Sequence, residues 1–185
     1  SPKEDSKKII LGLNKFEKLR YGENPHQNGA IYSTSKNLGL EKLNGKQLSY
    51  NNYADIFSAL QISKSFPNNK GTVIVKHGNP CGASIHKNNN ESFSMAHKCD
   101  PTSSFGGIVS CNFKINRSLA LKLNKLFFEV IIGNGFENDA LSILKTKKNV
   151  RIINSKNYEI FSKNNLISNM HFALAQTPDD KKFTT

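Results

Sequence analysis

Gly71-Thr72-Val73-Ile74-Val75-Lys76-His77-Gly78-Asn79-Pro80-Cys81-Gly82-Ala83-Ser84 is the stretch on which the reading of this chain turns. Residues 72–75 are β-branched without a break. Such a run suits a strand buried on both faces, as in a parallel sheet. It ends in a cation, Lys76, and an imidazole, His77. Gly78, Pro80 and Gly82 follow, so the backbone is expected to turn sharply and leave the sheet. Ligands of open α/β sheets bind outside the carboxyl ends of strands. Lys76 and His77 are thus offered where small-molecule chemistry usually occurs. Taken alone, the pair also fits a buried strand with two polar residues at its exit.

On the N-terminal side, residues 54–66 place Ile56, Ala59, Leu60 and Ser63 at helical spacing and predict a helix. Asn52 is read as its N-cap, with Asp55 completing a capping-box-like pair. The same helix end can meet a ligand. Pro67-Asn68-Asn69 stops the helix. Leu43-Asn44-Gly45-Lys46 reads as a turn and residues 30–33 as a short strand. Before that, Leu19-Arg20-Tyr21-Gly22-Glu23-Asn24-Pro25-His26-Gln27 is a loop by its glycine and Asn-Pro pair. It is dense in hydrogen-bonding groups, and Arg20 has the forked donors that clamp a phosphate. A solvated turn fits those residues equally. Residues 1–18 are polar and lysine-rich and read as a linker.

On the C-terminal side, residues 91–98 predict a short helix carrying Phe93 and Met95. Asp100-Pro101-Thr102-Ser103-Ser104-Phe105-Gly106-Gly107 is a second loop, closed by a strand at residues 108–111. Paired glycines allow close backbone approach, and exposed N–H groups can bind anions, although such a pair suits any tight turn. Asn116 caps a helix expected over residues 117–128. Its stripe of Leu119, Leu123, Leu126, Phe127 and Val130 is assigned to the core. Residues 129–132 are the end of that helix or the start of a strand. A short helix at 139–145 and a strand at 150–153 complete the pattern. The expected fold is α/β, with a mixed, largely parallel sheet and residues 72–75 among its central strands.

At 185 residues the chain suffices for one large domain. The net charge of +12 suits an anionic partner. The cations are dispersed, there is no arginine-rich tract and no Trp, and 24 Asn mark a Lys/Asn bias. This pattern argues against nucleic acid and for phosphate-bearing small ligands. Three cysteines, Cys81, Cys99 and Cys111, without a signal-peptide pattern favour reduced thiols in the cytoplasm. No apolar run approaches the roughly 20 residues that span a bilayer. Pro80-Cys81 is like the start of the zinc-deaminase Pro-Cys-x-x-Cys, but position 84 is Ser and no His-x-Glu precedes it. No zinc site is expected.

Four stretches, 19–27, 48–55, 75–83 and 100–109, together resemble the transformylase domain of the AICAR formyltransferase / IMP cyclohydrolase family. AICAR is 5-aminoimidazole-4-carboxamide ribonucleotide and IMP is inosine monophosphate. The stretches follow the family's order and spacing. Arg-Tyr-Gly-x-Asn-Pro-His-Gln and Lys-His-Gly-Asn-Pro-Cys-Gly carry most of the weight, being long and unusual strings. The match continues at 128–144 and 147–151 and covers about residues 19–155. Near residues 168–176 the family tends to have glycines, where this chain reads Asn169-Met170-His171. The resemblance implies a cytidine-deaminase-like fold: two layered α/β lobes in an intertwined homodimer. Residues 19–185 are read as a partial domain, the first lobe, without the second lobe or the upstream cyclohydrolase domain.

The implied reaction moves a formyl group from 10-formyltetrahydrofolate to the 5-amino group of AICAR, a step of purine biosynthesis. That amine is a poor nucleophile because its lone pair is delocalised. Its proton must leave as the C–N bond forms, and a neutral imidazole suits that role near pH 7. His77 is the candidate base. Lys76 is the candidate cation for the tetrahedral oxyanion, and its charge disfavours imidazolium. Strand alternation puts residues 76 and 77 on opposite faces, so both reach one ligand only if the strand has ended there. By resemblance, Arg20 and Tyr21 hold the nucleotide phosphate, and His26 and Asn52 line the pocket. Backbone around Ser104, Phe105 and Gly106 meets the carboxamide, and Glu129 meets the folate pterin. The resemblance leaves room for a structural potassium ion. Cys81 as nucleophile is the weaker chemistry, because formyl transfer needs no covalent enzyme intermediate. A different class also stays open: a non-catalytic lobe serving as a nucleotide-binding or dimerisation module, which a turnover assay separates from an enzyme.

Overall fold

The β-branched run forms a strand, and residues 71–75 in it are buried. The computed structural model describes residues 10, 12–159, 165–168 and 173–176. The chain divides into two units, Leu13–Tyr158 and Ser1–Gly12 with Glu159–Thr185. In order, the first holds β1 (Asn14–Lys18), β2 (Ala30–Ser33), β3 (Glu41–Asn44), α1 (Tyr50–Ser65), β4 (Gly71–Lys76) and β5 (Asn79–Ile85). It continues with α2 (Asn89–Cys99), α3 (Pro101–Ser104), β6 (Ile108–Cys111), α4 (Arg117–Asn124), β7 (Val130–Gly133), α5 (Asn138–Lys145) and β8 (Arg151–Asn154). The other unit holds β9 (Asn165–Ser168) and β10 (Ala173–Gln176), an antiparallel pair with Ala173 opposite Ser168.

Six strands form one sheet in the order β3-β8-β7-β6-β4-β5. β6, β7 and β8 run parallel, whereas β3 is antiparallel to β8, and β4 is antiparallel to both β6 and β5. The α/β class and the mixed sheet are as expected. The parallel share is smaller than the β-branched run suggested. Burial on both faces comes from helices on both faces, not from the direction of pairing.

Period-two alternation sorts the strands into two cores. Val73, Val75, Ile108, Val130, Ile132 and Ile153 face α1 through Tyr53, Ile56, Ala59 and Leu60. Ile74, Val109, Ile131 and Ile152 face the other way, onto Phe93 and Ala96 of α2, Leu119 and Leu123 of α4, and Ala140 and Leu144 of α5.

Several expected boundaries move for physical reasons. The chain after Lys76 does not leave the sheet. It reverses at once and returns as β5, with Pro80 in a strand that has one open edge, where a missing N–H is tolerated. The N-cap of α1 is Ser49, not Asn52. Asn52 is the third helical residue of a reciprocal capping box: its N–H donates to Ser49 Oγ at 3.1 Å, and its Oδ1 accepts Ser49 N–H at 3.2 Å. α4 stops at Asn124, so Leu126, Phe127 and Val130 lie beyond it. Residues 14–18 of the expected linker form β1, paired with β2; residues 1–9 and 11 lie outside the described residues. So does the family-divergent Asn169-Met170-His171.

Candidate functional site

Because β4 is antiparallel to β6, its carboxyl end lies beside the amino ends of β6, β7 and β8. Val75 pairs with Ile108, Ile108 with Val130, and Val130 with Arg151. The carboxyl ends of β4 and β3 thus lie at the same end of the sheet as the amino ends of β6, β7 and β8. Lys76, the 104–107 loop, Glu129 and Arg151 share this end of the sheet.

The turn from β4 to β5 has His77 and Gly78 as its two central residues, at φ 53° and φ 76°. Two consecutive left-handed residues mark a type I′ hairpin, whose twist matches the strands it joins. A histidine in this conformation costs on the order of 1 kcal/mol relative to ordinary backbone. Gly78 N–H donates to Asp55 Oδ1 at 2.6 Å, and Ser58 Oγ donates to Gly78 O at 3.0 Å. Asn79 Nδ2 donates to His77 O at 3.0 Å. The His77 ring is exposed and forms no hydrogen bond among the described residues. Lys76 is the last strand residue and His77 the first turn residue, so strand alternation no longer sets their relative direction.

Lys76 Nζ donates to Phe105 O at 2.8 Å, which ties the two motif loops together. The 104–107 loop is not the anion-binding nest that its glycines suggested. Ser104 N–H donates to Asp100 O, Phe105 N–H to Thr102 O, Gly106 N–H to Phe127 O and Gly107 N–H to Ser104 O. Its donors are engaged internally. Gly107 is required by close approach: a Cβ there would lie 2.9 Å from Val75 O. Ser104 is buried, its Oγ donating to Asp100 O at 2.7 Å. Asp100 caps α3, and hydrogen bonds from Ser103 hold its carboxyl below the usual carboxylate range.

Phe105 is 64% exposed and its ring centroid lies 5.0 Å from that of Phe127, itself 47% exposed. Phe127 is thus no core residue, and the pair presents an aromatic surface beside Lys76. Glu129 Oε2 accepts from Asn52 Nδ2 at 3.0 Å and lies 3.8 Å from Arg151 Nη1. Arg151 is anchored in turn by donating Nε and Nη2 to Gln47 O, each at 3.2 Å. Glu129 Oε1 accepts no hydrogen bond among the described residues, so one carboxylate oxygen is fixed and the other offered.

Arg20, Tyr21 and His26 lie in the loop joining β1 to β2. The Arg20 guanidinium sits 5.7 Å from the Tyr21 ring centroid, within cation–π range. Arg20 and His26 are exposed. Asn51 Nδ2 donates to Glu23 O at 3.4 Å, which brings this loop to the first turn of α1, beside Asn52. The structure gives no direct contact from Arg20, Tyr21 or His26 to Lys76, His77 or Glu129. Asp55, Ser58, Phe127 and Arg151 stand at this end of the sheet without a site role expected from the sequence, where Asp55 is expected only as a helix-capping residue.

Cys81 Sγ lies 3.5 Å from Ile74 O and 3.8 Å from Ser104 Oγ, with no base beside it among these contacts. Among the described residues no three His, Cys, Asp or Glu side chains gather as metal ligands, and no helix is long and apolar enough to cross a membrane. A polar hollow of about 300 Å³ lies at the opposite end, lined by Asn37, Gly39, Leu40, Glu41, Asn154 and Asn157. None of the candidate site residues lines it.

Residues 2–185 match the family model described as AICARFT/IMPCHase bienzyme. A bifunctional purine biosynthesis protein PurH from Aquifex aeolicus is 42% identical over 151 residues, covering 80% of this chain and 30% of the relative. The protein of that name from Brachyspira hyodysenteriae is 42% identical over 163 residues, covering 83% and 32%. That from Bacillus cereus strain B4264 is 41% identical over 155 residues, covering 81% and 30%. The chain spans about a third of the length of these relatives. With its whole described core inside the match, the chain belongs to the AICARFT/IMPCHase bienzyme family.

Proposed function

We propose that this chain is the first lobe of an AICAR transformylase domain whose parent protein also carries IMP cyclohydrolase activity. The relatives' names give bifunctional purine biosynthesis. The observation that carries the reading is the meeting of the Lys76-His77 turn, the Phe105 loop and Glu129 at one end of the sheet.

In this reading the amine nitrogen of AICAR bonds to the formyl carbon and loses its proton to His77. The bond from that carbon to the folate nitrogen then breaks, and that nitrogen takes up a proton. Lys76, with one N–H engaged by Phe105 O, keeps two donors and its charge for the developing oxyanion. Glu129 presents Oε1 to the aminopyrimidine edge of the folate, since a carboxylate oxygen accepts from paired N–H donors. Arg20 clamps the phosphate from its exposed loop, with Tyr21 beneath it and His26 and Asn52 along the pocket wall. The carboxamide of AICAR is met by backbone around Ser104, Phe105 and Gly106 through the remaining carbonyl lone pairs, because the amides there are engaged. The rest of the site comes from a second lobe and a partner copy in a cytoplasmic homodimer.

The test is formation of tetrahydrofolate from 10-formyltetrahydrofolate and AICAR by the full-length parent protein. Activity lost on Lys76→Ala and His77→Ala supports the reading, and activity retained in both removes it. The coverage of about a third of each relative favours a second statement: the 185 residues alone turn nothing over and act as a binding or dimerisation lobe. Robust turnover by the purified, mass-verified polypeptide would refute it.

A further inference from the structure

The turn that carries His77 is held by α1. Asp55 and Ser58 stand three positions apart, on one side of that helix. One accepts from Gly78 N–H at 2.6 Å, and the other donates to Gly78 O at 3.0 Å. Both backbone groups of the second turn residue are thus tied to side chains more than one element away in sequence. A two-residue hairpin does not need this. It closes through its flanking strand residues, and its central amide and carbonyl are ordinarily left to water. Gly78 is itself exposed, so water could satisfy both groups. Fixing two side chains costs rotamer freedom and returns little stability at an exposed position. What it does return is orientation of the peptide that follows His77.

The same helix reaches Glu129 through Asn52, three positions before Asp55. The separation of the His77 turn from Glu129 is therefore set by one rigid element. We propose that Asp55, assisted by Ser58, is a positioning residue for His77, holding the 77–78 peptide and with it the direction in which the imidazole leaves the turn. This inference rests on the reading of His77 as the base of formyl transfer.

The test uses the full-length parent protein, with kcat and KM measured for AICAR and for 10-formyltetrahydrofolate. Displacement of a reacting group by about 1 Å can cost about 10²-fold. Asp55→Ala is expected to lower kcat by about 10- to 100-fold, with KM changed less than about twofold. Asp55→Asn keeps an acceptor for Gly78 N–H and is expected to return kcat to within about threefold of wild type. Ser58→Ala is expected to lower kcat by about threefold. Combined with His77→Ala, the Asp55→Ala change should cost nothing further, because its effect passes through His77. A folded Asp55→Ala protein with wild-type kcat overturns the inference. So does an Asp55→Asn protein as impaired as Asp55→Ala, or an undiminished extra loss in the His77→Ala background. If Asp55→Ala does not fold, Ser58→Ala decides: a kcat loss at unchanged KM supports positioning, and wild-type kcat overturns it. Wild-type protein without formyl transfer would overturn the functional reading and this inference with it, whereas an active wild type beside an unimpaired Asp55→Ala overturns this inference alone.

Discussion

Where β6, β7 and β8 finish, Asn112, Lys64 and Ser155 commit their polar atoms to the chain itself; where the same strands begin, the His77 ring and one oxygen of Glu129 do not. Asn112 Oδ1 accepts Lys70 N–H at 3.0 Å and Gly71 N–H at 2.8 Å, while its Nδ2 donates to Phe66 O and Pro67 O. Lys64 Nζ donates to Ser155 O at 3.1 Å and Asn134 Oδ1 at 3.4 Å, and burial lowers its pKa. Ser155 Oγ donates to Gly133 O at 3.2 Å. At the beginning of the strands, the His77 ring and Glu129 Oε1 have no partner among the described residues, and Phe105 and Phe127 stay exposed. Both ends are polar and loop-rich. On the proposed reading, the end that meets ligand differs from the other in unused hydrogen-bonding capacity, not in polarity.

Substitutions at the two ends should therefore fail in different assays. The largest effect is expected at His77. Asn tolerates the left-handed conformation that His77 occupies. His77→Asn should keep the melting temperature while lowering kcat of the full-length enzyme by about 10²–10⁴-fold. A lowered melting temperature with intact kcat would reverse the roles of the two ends.

At the far end, Asn112→Ala leaves two backbone donors and two carbonyls without their partner. Chemical denaturation should show a loss of about 2–4 kcal/mol, with KM values of the surviving folded protein unchanged. A loss below about 0.5 kcal/mol would mean that water replaces Asn112 freely. Arg20→Ala should weaken AICAR binding by about 1.5–3 kcal/mol, and wild-type affinity should fall with added salt. Calorimetry showing an unchanged Kd would take Arg20 out of the site.

The smallest effect concerns Cys111, the last residue of β6. Burial pushes its thiol from 9.0 up to about 12, against a smaller opposing hydrogen bond with Thr72. The folded state therefore favours the neutral thiol. Its contribution is complete below pH 9 and is lost as pH rises from 9 toward 12. Wild type should lose about 1 kcal/mol more than Cys111→Ala between pH 8 and pH 10. Equal losses, followed by urea unfolding at each pH, would show that Cys111 ionises freely in the fold.

Much of the fold was legible because burial writes itself into residue type. The run at 72–75 predicted a buried strand, and the strand at 108–111 matched its observed bounds. Pairing direction was not legible, because helices on both faces make an antiparallel strand as apolar as a parallel one. The β4–β5 hairpin was masked by its own chemistry. His77 replaces the usual Asn or Asp of a type I′ turn, and Pro80 and Gly82 read as loop residues although an edge strand tolerates them. Phe127 reads as core in the sequence because no Gly or Pro marks the end of α4, so a helical stripe runs on past Asn124. Lys76 and His77 stand in a motif string, whereas Glu129 is reached only through the family resemblance. Asp55 and Arg151 pair with residues far away in sequence, Gly78 and Glu129, and no local pattern encodes those pairings.

Asn52, Asp55 and Ser58 make α1 a ruler, and a ruler is sensitive to length more than to substitution. One residue inserted between Asn52 and Asp55 would rotate everything after it by about 100° and advance it by about 1.5 Å. Asn52 would then lose Glu129, or Asp55 would lose Gly78; the helix could not keep both. Insertions in surface loops face no such constraint. Among relatives of this lobe, insertions and deletions should accordingly fall in loops and be missing between Asn52 and Ser58, even where the side chains themselves vary.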